Sequence, residues 1–304
     1  MVNLQESQKS VVNSRLSKRE SLRNGVILFF VYVKIFIKIF IKIFLMRKRT
    51  MKEPFLLNFD PEPQAVLERD HEKEINHFHF QPKLLFAFLT PDVISDFLAR
   101  YPHKKLGFFD CFEGETPIYE VDLDGQKITF CQAKIGAAAA VELLDWLISY
   151  GVKQILAIGS AGCLVDLPEN YFLVPTKAIR DEGTSFHYMK PGTYIDLKSE
   201  FLTKTKKLLN EEGLKVEEVT TWTTDGFFRE TVKKVKQAKE FGASCVEMEC
   251  AAMAACAQFR GVDFAQILFT ADSLKDIEKH DERGWGRDAH EAAINLAANI
   301  IANI

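Results

Sequence analysis

The chain has 304 residues, 47% hydrophobic and 27% charged, enough to bury one sizeable core. Its formal net charge of −3 conceals a division: residues 1–50 carry 11 Lys+Arg against 2 Asp+Glu, the remainder 28 against 40. An acidic body lacks the basic face that nucleic acid requires, which excludes nucleic acid as the main partner.

Residues 1–50 are expected to form a low-complexity basic and apolar extension. Within residues 26–45 Lys-Ile-Phe occurs three times, with Lys34, Lys38 and Lys42 four apart. The run is long enough for a membrane helix, but each lysine near the bilayer centre costs about 2.5–3.5 kcal/mol on insertion scales. The lysines share one helical face, so contact with a membrane surface is physically easier. A segment translated upstream of a start at Met46 or Met51 is preferred to both. Met46-Arg-Lys-Arg follows where a signal peptide would need small residues.

Residues 51–83, with Pro54, Pro61, Pro63 and Pro82, read as an extended arm, and residues 84–304 as the domain. Apolar runs predict strands over 84–89, 106–112, 117–123 and 127–133, the last two joined by the turn dipeptide Asp124-Gly125. Helical periodicity predicts helices over 92–101 and 136–150, the second stopped by Gly151. Strands follow at 154–158, 171–179, 216–224, 243–246 and 264–271, alternating with helices at 198–212, up to 240, 249–259 and 288–301. This alternation predicts one three-layer α/β domain whose mixed, largely parallel central sheet is flanked by helices, with sites at the carboxyl ends of strands.

Polar and glycine-rich residues collect at those ends. Val246-Glu247-Met248-Glu249 enters an alanine-rich helix, where a carboxylate is locally favoured and two acceptor oxygens suit a vicinal diol; an ordinary acidic helix start reads the same way. Gly159-Ser160-Ala161-Gly162 offers backbone N–H groups and a hydroxyl suited to an oxyanion, although such turns also serve purely structural ends. Asp272 closes an apolar strand, where partial desolvation would let it act as an acid. Phe227 beside Gly226 can stack on a planar ring or join the core. Six cysteines without a Cys-x-x-Cys pair indicate a reduced, cytoplasmic protein, and the seven histidines show no metal-ligand spacing.

In order and spacing, these stretches, with Thr224-Asp225-Gly226-Phe227-Phe228 and Thr270-Ala271-Asp272, resemble the nucleoside phosphorylase superfamily of purine nucleoside and uridine phosphorylases and related nucleosidases. The resemblance implies an enzyme that cleaves the N-glycosidic bond of a purine or pyrimidine nucleoside with phosphate, giving free base and ribose 1-phosphate. It implies that Glu249, Met248 and Ser160 hold the ribose, that Phe227 and Val246 meet the base, and that Asp272 protonates a leaving purine at N7. Inorganic phosphate would be the co-substrate, with no metal or organic cofactor, and the protein would be a homo-oligomer, a dimer or hexamer.

The chain departs from the family where phosphate binds. The first strand leads into Leu89-Thr90-Pro91-Asp92 in place of a Gly/Arg loop, and Ala157 stands where an arginine is usual. Either Arg180, Arg229 and Arg283 substitute, beside Gly159 and Ser160, or water replaces phosphate and the protein is a nucleosidase. A non-catalytic nucleoside-binding protein is the third reading. Thr231 and Lys233 stand where uridine phosphorylases have the uracil-reading Gln and Arg.

Overall fold

A computed structural model describes residues 34, 36–38, 54–71, 77–112, 114–214 and 216–304. The chain divides into two units, Met1–Phe55 and Leu56–Ile304. In the first, Lys34 and residues 36–38 are helical and exposed; the other expectations for residues 1–50 lie outside the described residues. No helix among the described residues is long and apolar enough to cross a membrane.

The second unit is a mixed α/β domain. Its strands are β1 (Lys83–Ala87), β2 (His103–Phe109), β3 (Thr116–Leu123), β4 (Gln126–Gln132), β5 (Gln154–Cys163), β6 (Phe172–Asp181), β7 (Tyr194–Asp196), β8 (Glu217–Thr224), β9 (Ala243–Glu247) and β10 (Asp263–Ser273). The helices are α1 (Pro91–Arg100), α2 (Ala137–Ser149), α3 (Ser185–Tyr188), α4 (Glu200–Glu211), α5 (Val232–Glu240), α6 (Cys250–Arg260) and α7 (His290–Asn303). Two short 3₁₀ turns, Phe227–Arg229 and Arg283–Ala289, interrupt the connections. The short β7 and α3 carry no periodicity of their own and escape a sequence reading.

β1 is parallel to both β4 and β5, and β5 is parallel to β10, so the centre of the sheet is parallel and almost wholly apolar on both faces. The antiparallel β2 and β3 complete one edge. On the other side the sheet closes on itself: β10 pairs with β5 and β6, and β8 and β9 link β6 back to β5. Closure removes the exposed edge that a strand of this length would otherwise present.

Past Ile158, β5 exchanges neighbours. β1 ends at Ala87, and the Phe88 N–H donates to the Ile158 carbonyl as the chain peels away toward Thr90; β9 then meets β5 at Gly162 and Cys163. The exchange opens a crevice at the carboxyl ends of the parallel strands. β5 was expected to stop at Ile158 and turn through Gly159-Ser160-Ala161-Gly162, but it continues as strand to Cys163 because β10 and β9 hold it from both sides. The glycines there serve close approach: a Cβ at Gly159 would sit 3.0 Å from Cβ of Phe88, and one at Gly162 3.0 Å from Asp272 Oδ1.

The alanine-rich α6 is buried along nearly its whole length and packs on the alanine-rich start of α2, where small side chains let the two helices draw together. Gly261, at φ 66°, stops it in the left-handed conformation that glycine adopts without penalty. α7 packs on β1 and β5, with α1 and α4 beside it.

Candidate active site

The crevice holds a cavity of about 430 Å³. Of the residues expected at the site, Gly159, Ser160, Phe227, Val246, Met248, Glu249 and Asp272 all line it, drawn from β5, β9, β10 and the turns that follow β8 and β9. The three arginines do not. The buried guanidinium of Arg180 donates to Ser185 Oγ (2.8 Å) and to the carbonyls of Lys190 (2.7 Å) and Met189 (3.2 Å), and it lies 4.3 Å from the Phe186 ring centroid. Arg283 donates to the Leu167 carbonyl at 3.0 Å and pairs with Asp281. Arg229 is exposed, outside the cavity wall. Among the described residues, no lysine or arginine lines the cavity.

Instead the wall carries four carboxylates, Glu230, Glu247, Glu249 and Asp272. Glu247 is spent on the fold. Its Oε1 accepts from Thr221 Oγ1 (3.1 Å) and Thr223 Oγ1 (2.6 Å), and its Oε2 from the N–H groups of Glu249 (2.8 Å) and Cys250 (2.6 Å). Thr223 Oγ1 also takes the Ala251 N–H at 3.0 Å. The N–H groups of Glu249, Cys250 and Ala251, at the start of α6, are thus occupied by side chains from within the fold.

Of this pair, Glu249 is the carboxylate left with capacity for a ligand. Its Oε1 accepts from the Gly136 N–H at 2.6 Å and its Oε2 from the Met248 N–H at 3.3 Å, so both oxygens are fixed while lone pairs remain for a ligand. Burial, and then the neighbouring Glu247 charge, hold its pKa well above the usual carboxylate range. A bound diol, donating two hydrogen bonds, would favour the ionised form.

Asp272 lies on the cavity wall, with Oδ2 2.8 Å from Nε2 of His280. One proton can be held between the two groups. Glu230, on the same wall, is pushed up to about 7, first by burial and then by the Asp272 charge, with His280 opposing. The Phe227 and Trp285 rings also line the cavity, centroids 6.3 Å apart and tilted by 47°, and Trp285 lies 5.6 Å from the His280 ring. Trp285 reaches this position through an unusual backbone. Arg283, Gly284, Trp285 and Gly286 run consecutively at φ 43°, 56°, 59° and 68°, and a non-glycine residue pays roughly 1–2 kcal/mol for that conformation.

Sequence reasoning missed Glu230, Gln266, His280, Trp285 and His290. Gln266 alone gives a signal, an amide inside the apolar run Phe264-Ala265-Gln266-Ile267-Leu268-Phe269. The others lie on turns or at a helix start, where periodicity says nothing.

An α/β domain with a crevice at its strand ends, lined by Phe227, Trp285 and buried carboxylates, has the form of a small-molecule site. The family model "Phosphorylase superfamily" matches residues 90–304, and the chain belongs to that family. It is 25% identical over 194 residues to a guanosine phosphorylase of Halorubrum lacusprofundi, covering 62% of this chain and 80% of the relative. It is 29% identical over 160 residues to an aminodeoxyfutalosine nucleosidase of Helicobacter pylori, covering 50% and 70%. The fold is that of a purine nucleoside phosphorylase from Toxoplasma gondii solved with immucillin-H, with a TM-score of 0.65 at 18% identity over 80% of this chain and 98% of that one.

Proposed function

We propose that this protein cleaves the N-glycosidic bond of a purine nucleoside and passes the ribosyl group to water. The observation that carries the choice of nucleophile is the cavity wall itself: four carboxylates and, among the described residues, no lysine or arginine. A phosphate dianion entering it would find no cationic side chain on this wall to offset its charge, while water needs none.

In this reading Glu249 accepts the ribose hydroxyls, Met248 and Ser160 contact the sugar, and Phe227 stacks on the base above Val246. Breaking the bond sends its electron pair to the base, and the sugar takes on oxocarbenium character. The proton held between Asp272 and His280 passes to the purine at N7, so the base leaves neutral. Glu249 fixes the ribose so that remote binding acts on the reacting carbon. The chemistry requires no organic cofactor or metal, and the exposed Phe228 and Phe227 at the rim suit assembly with further copies of the chain.

Phosphorolysis is the second reading, favoured by the similarity to a guanosine phosphorylase along 80% of its length. The full chain incubated with inosine, guanosine, adenosine and uridine, with and without phosphate, separates the two. Free ribose formed at the same rate without phosphate is expected; ribose 1-phosphate formed only with phosphate would overturn hydrolysis, and binding without turnover would overturn both.

A further inference from the structure

The backbone that carries Trp285 is pinned to β10, while its indole is left partly in solvent. Ser273 and Asp281 exchange two backbone hydrogen bonds, at 2.8 and 3.1 Å, so the chain leaves β10 after Asp272 and returns to it. Arg283 then binds the Leu167 carbonyl and Asp281, and the Trp285 N–H donates to the Glu282 carbonyl at 2.8 Å. Gly286 lies so close on β10 that a Cβ there would stand 3.1 Å from both Ala271 Cβ and Phe269 Cε2. The indole itself is 42% exposed, whereas Trp146 and Trp222, the other two tryptophans, are 5% and 2% exposed.

This arrangement is unfavourable for the free protein. Arg283 and Trp285 both hold left-handed φ values that residues with side chains enter at a penalty, and a large apolar ring remains in contact with water. Backbone strain of this kind persists only where the surroundings impose it, and it gathers at sites that bind or react. The indole meets two groups of the site: its ring lies 6.3 Å from that of Phe227 and 5.6 Å from that of His280, which is hydrogen-bonded to Asp272. Aromatic rings in contact have centroids about 4.5–7 Å apart, so Phe227 and Trp285 already touch and leave no room for a third ring between them.

We infer that Trp285 is the second wall of the base pocket: a purine entering against Phe227 parts the two rings and is stacked between them, the indole turning about its own side-chain bonds while the pinned backbone stays in place. This rests on the purine-binding part of the reading above and is independent of whether water or phosphate attacks. The complex recovers the apolar burial that the free protein forgoes at Trp285. Because the indole also meets the His280 ring, a base held against it lies beside the Asp272 and His280 pair that supplies its proton. The two fused rings of a purine cover more of both aromatic faces than the single ring of a pyrimidine, so the pair of walls favours purines.

The test uses the full chain and free hypoxanthine, with binding followed by equilibrium dialysis and, separately, by tryptophan fluorescence. Saturable binding with a matching change in emission is expected. Trp285→Phe should keep the affinity within about threefold, since a ring remains to stack, but lose the emission change, because Trp146 and Trp222 are buried. Trp285→Gly should weaken hypoxanthine binding and raise KM for inosine by roughly 5–100-fold with kcat little changed, and raise KM for uridine less. It should also melt at or above the wild-type temperature, because glycine takes a φ of 59° without penalty, where loss of a purely structural indole would lower it. Should Trp285→Gly fold poorly, the emission change and its loss in Trp285→Phe decide alone. Hypoxanthine bound with no change in Trp285 emission, or held as tightly by a folded Trp285→Gly as by the wild type, overturns the inference while the purine reading stands. Failure of dialysis to detect binding of any purine base or nucleoside defeats that reading, and the second wall with it.

Discussion

The Gly136 N–H donates a 2.6 Å hydrogen bond to Oε1 of Glu249, joining the N-cap of α2 to the N-cap of α6 across 113 residues of sequence. The bond fixes the carboxylate that faces the cavity, and it exists because α2 and α6 pack against each other. Glu249→Gln keeps the size of the side chain but weakens charge-assisted hydrogen bonds worth roughly 1.5–3 kcal/mol. A fall in kcat of roughly 10- to 100-fold with little change in melting temperature is expected; unchanged kinetics on every accepted nucleoside would remove Glu249 from the site.

Gly136 can take this place only as glycine. Its φ of 92° with ψ of 143° is a conformation other residues enter at a cost of about 1–3 kcal/mol, and no atom lies within 4 Å of where a Cβ would go, so the penalty is purely backbone. Gly136→Ala is expected to lower both stability and turnover. Gly125→Ala, at the same φ in the distant β3–β4 hairpin, is the control and should lower stability alone.

Asp272 and His280 are hydrogen-bonded to each other at 2.8 Å, and the proposed proton transfer draws on both. Asp272→Asn still donates a hydrogen bond but does not readily transfer a proton, so the rate on a purine nucleoside should fall by roughly 10²–10⁴. His280→Gln should fall less, because it leaves the carboxyl in place. Rates on inosine, adenosine and uridine measured side by side decide the base class, with the smallest loss expected on uridine, whose base leaves mainly through stabilisation at a carbonyl oxygen.

Glu230 sets a pH dependence of stability. Its folded-state pKa is raised from 4.5 to about 7, so across that window the folded protein keeps a proton that the unfolded chain has released. Stability therefore falls as pH rises through the window. Buried Glu249 is shifted the same way. Glu230→Gln should flatten the decline in melting temperature between pH 5 and pH 8; an unchanged slope would mean that Glu230 is ionised throughout.

Residues 1–50 are proposed to lie outside the catalytic unit, since the family match begins at residue 90 and their charge opposes that of the rest. A chain beginning at Met51 should keep its nucleoside-cleaving rate and melting temperature. Loss of folding on that deletion would refute the proposal.

The alternation of apolar runs and helical periods in the sequence determined the mixed α/β domain, because strand and helix periods follow from which face each segment buries. Motif order was equally legible: Ser160, Phe227, Glu249 and Asp272 each sit just inside or just past a strand end, and strand ends converge in an open α/β sheet. What only the tertiary structure decided is which charges meet. Arg180, Arg229 and Arg283 are nearby in chain position yet none lines the cavity, two of them being held by partners within the fold. Glu247 and Glu249, two residues apart, are divided between capping α6 and facing the cavity, because β8 supplies hydroxyls to one and Gly136 an N–H to the other. Gln266, His280 and His290 join the site only through the closure of β10 onto β5 and β6 and the left-handed turn through Trp285. Contacts of that kind depend on packing between distant segments, and no local pattern of residues records them.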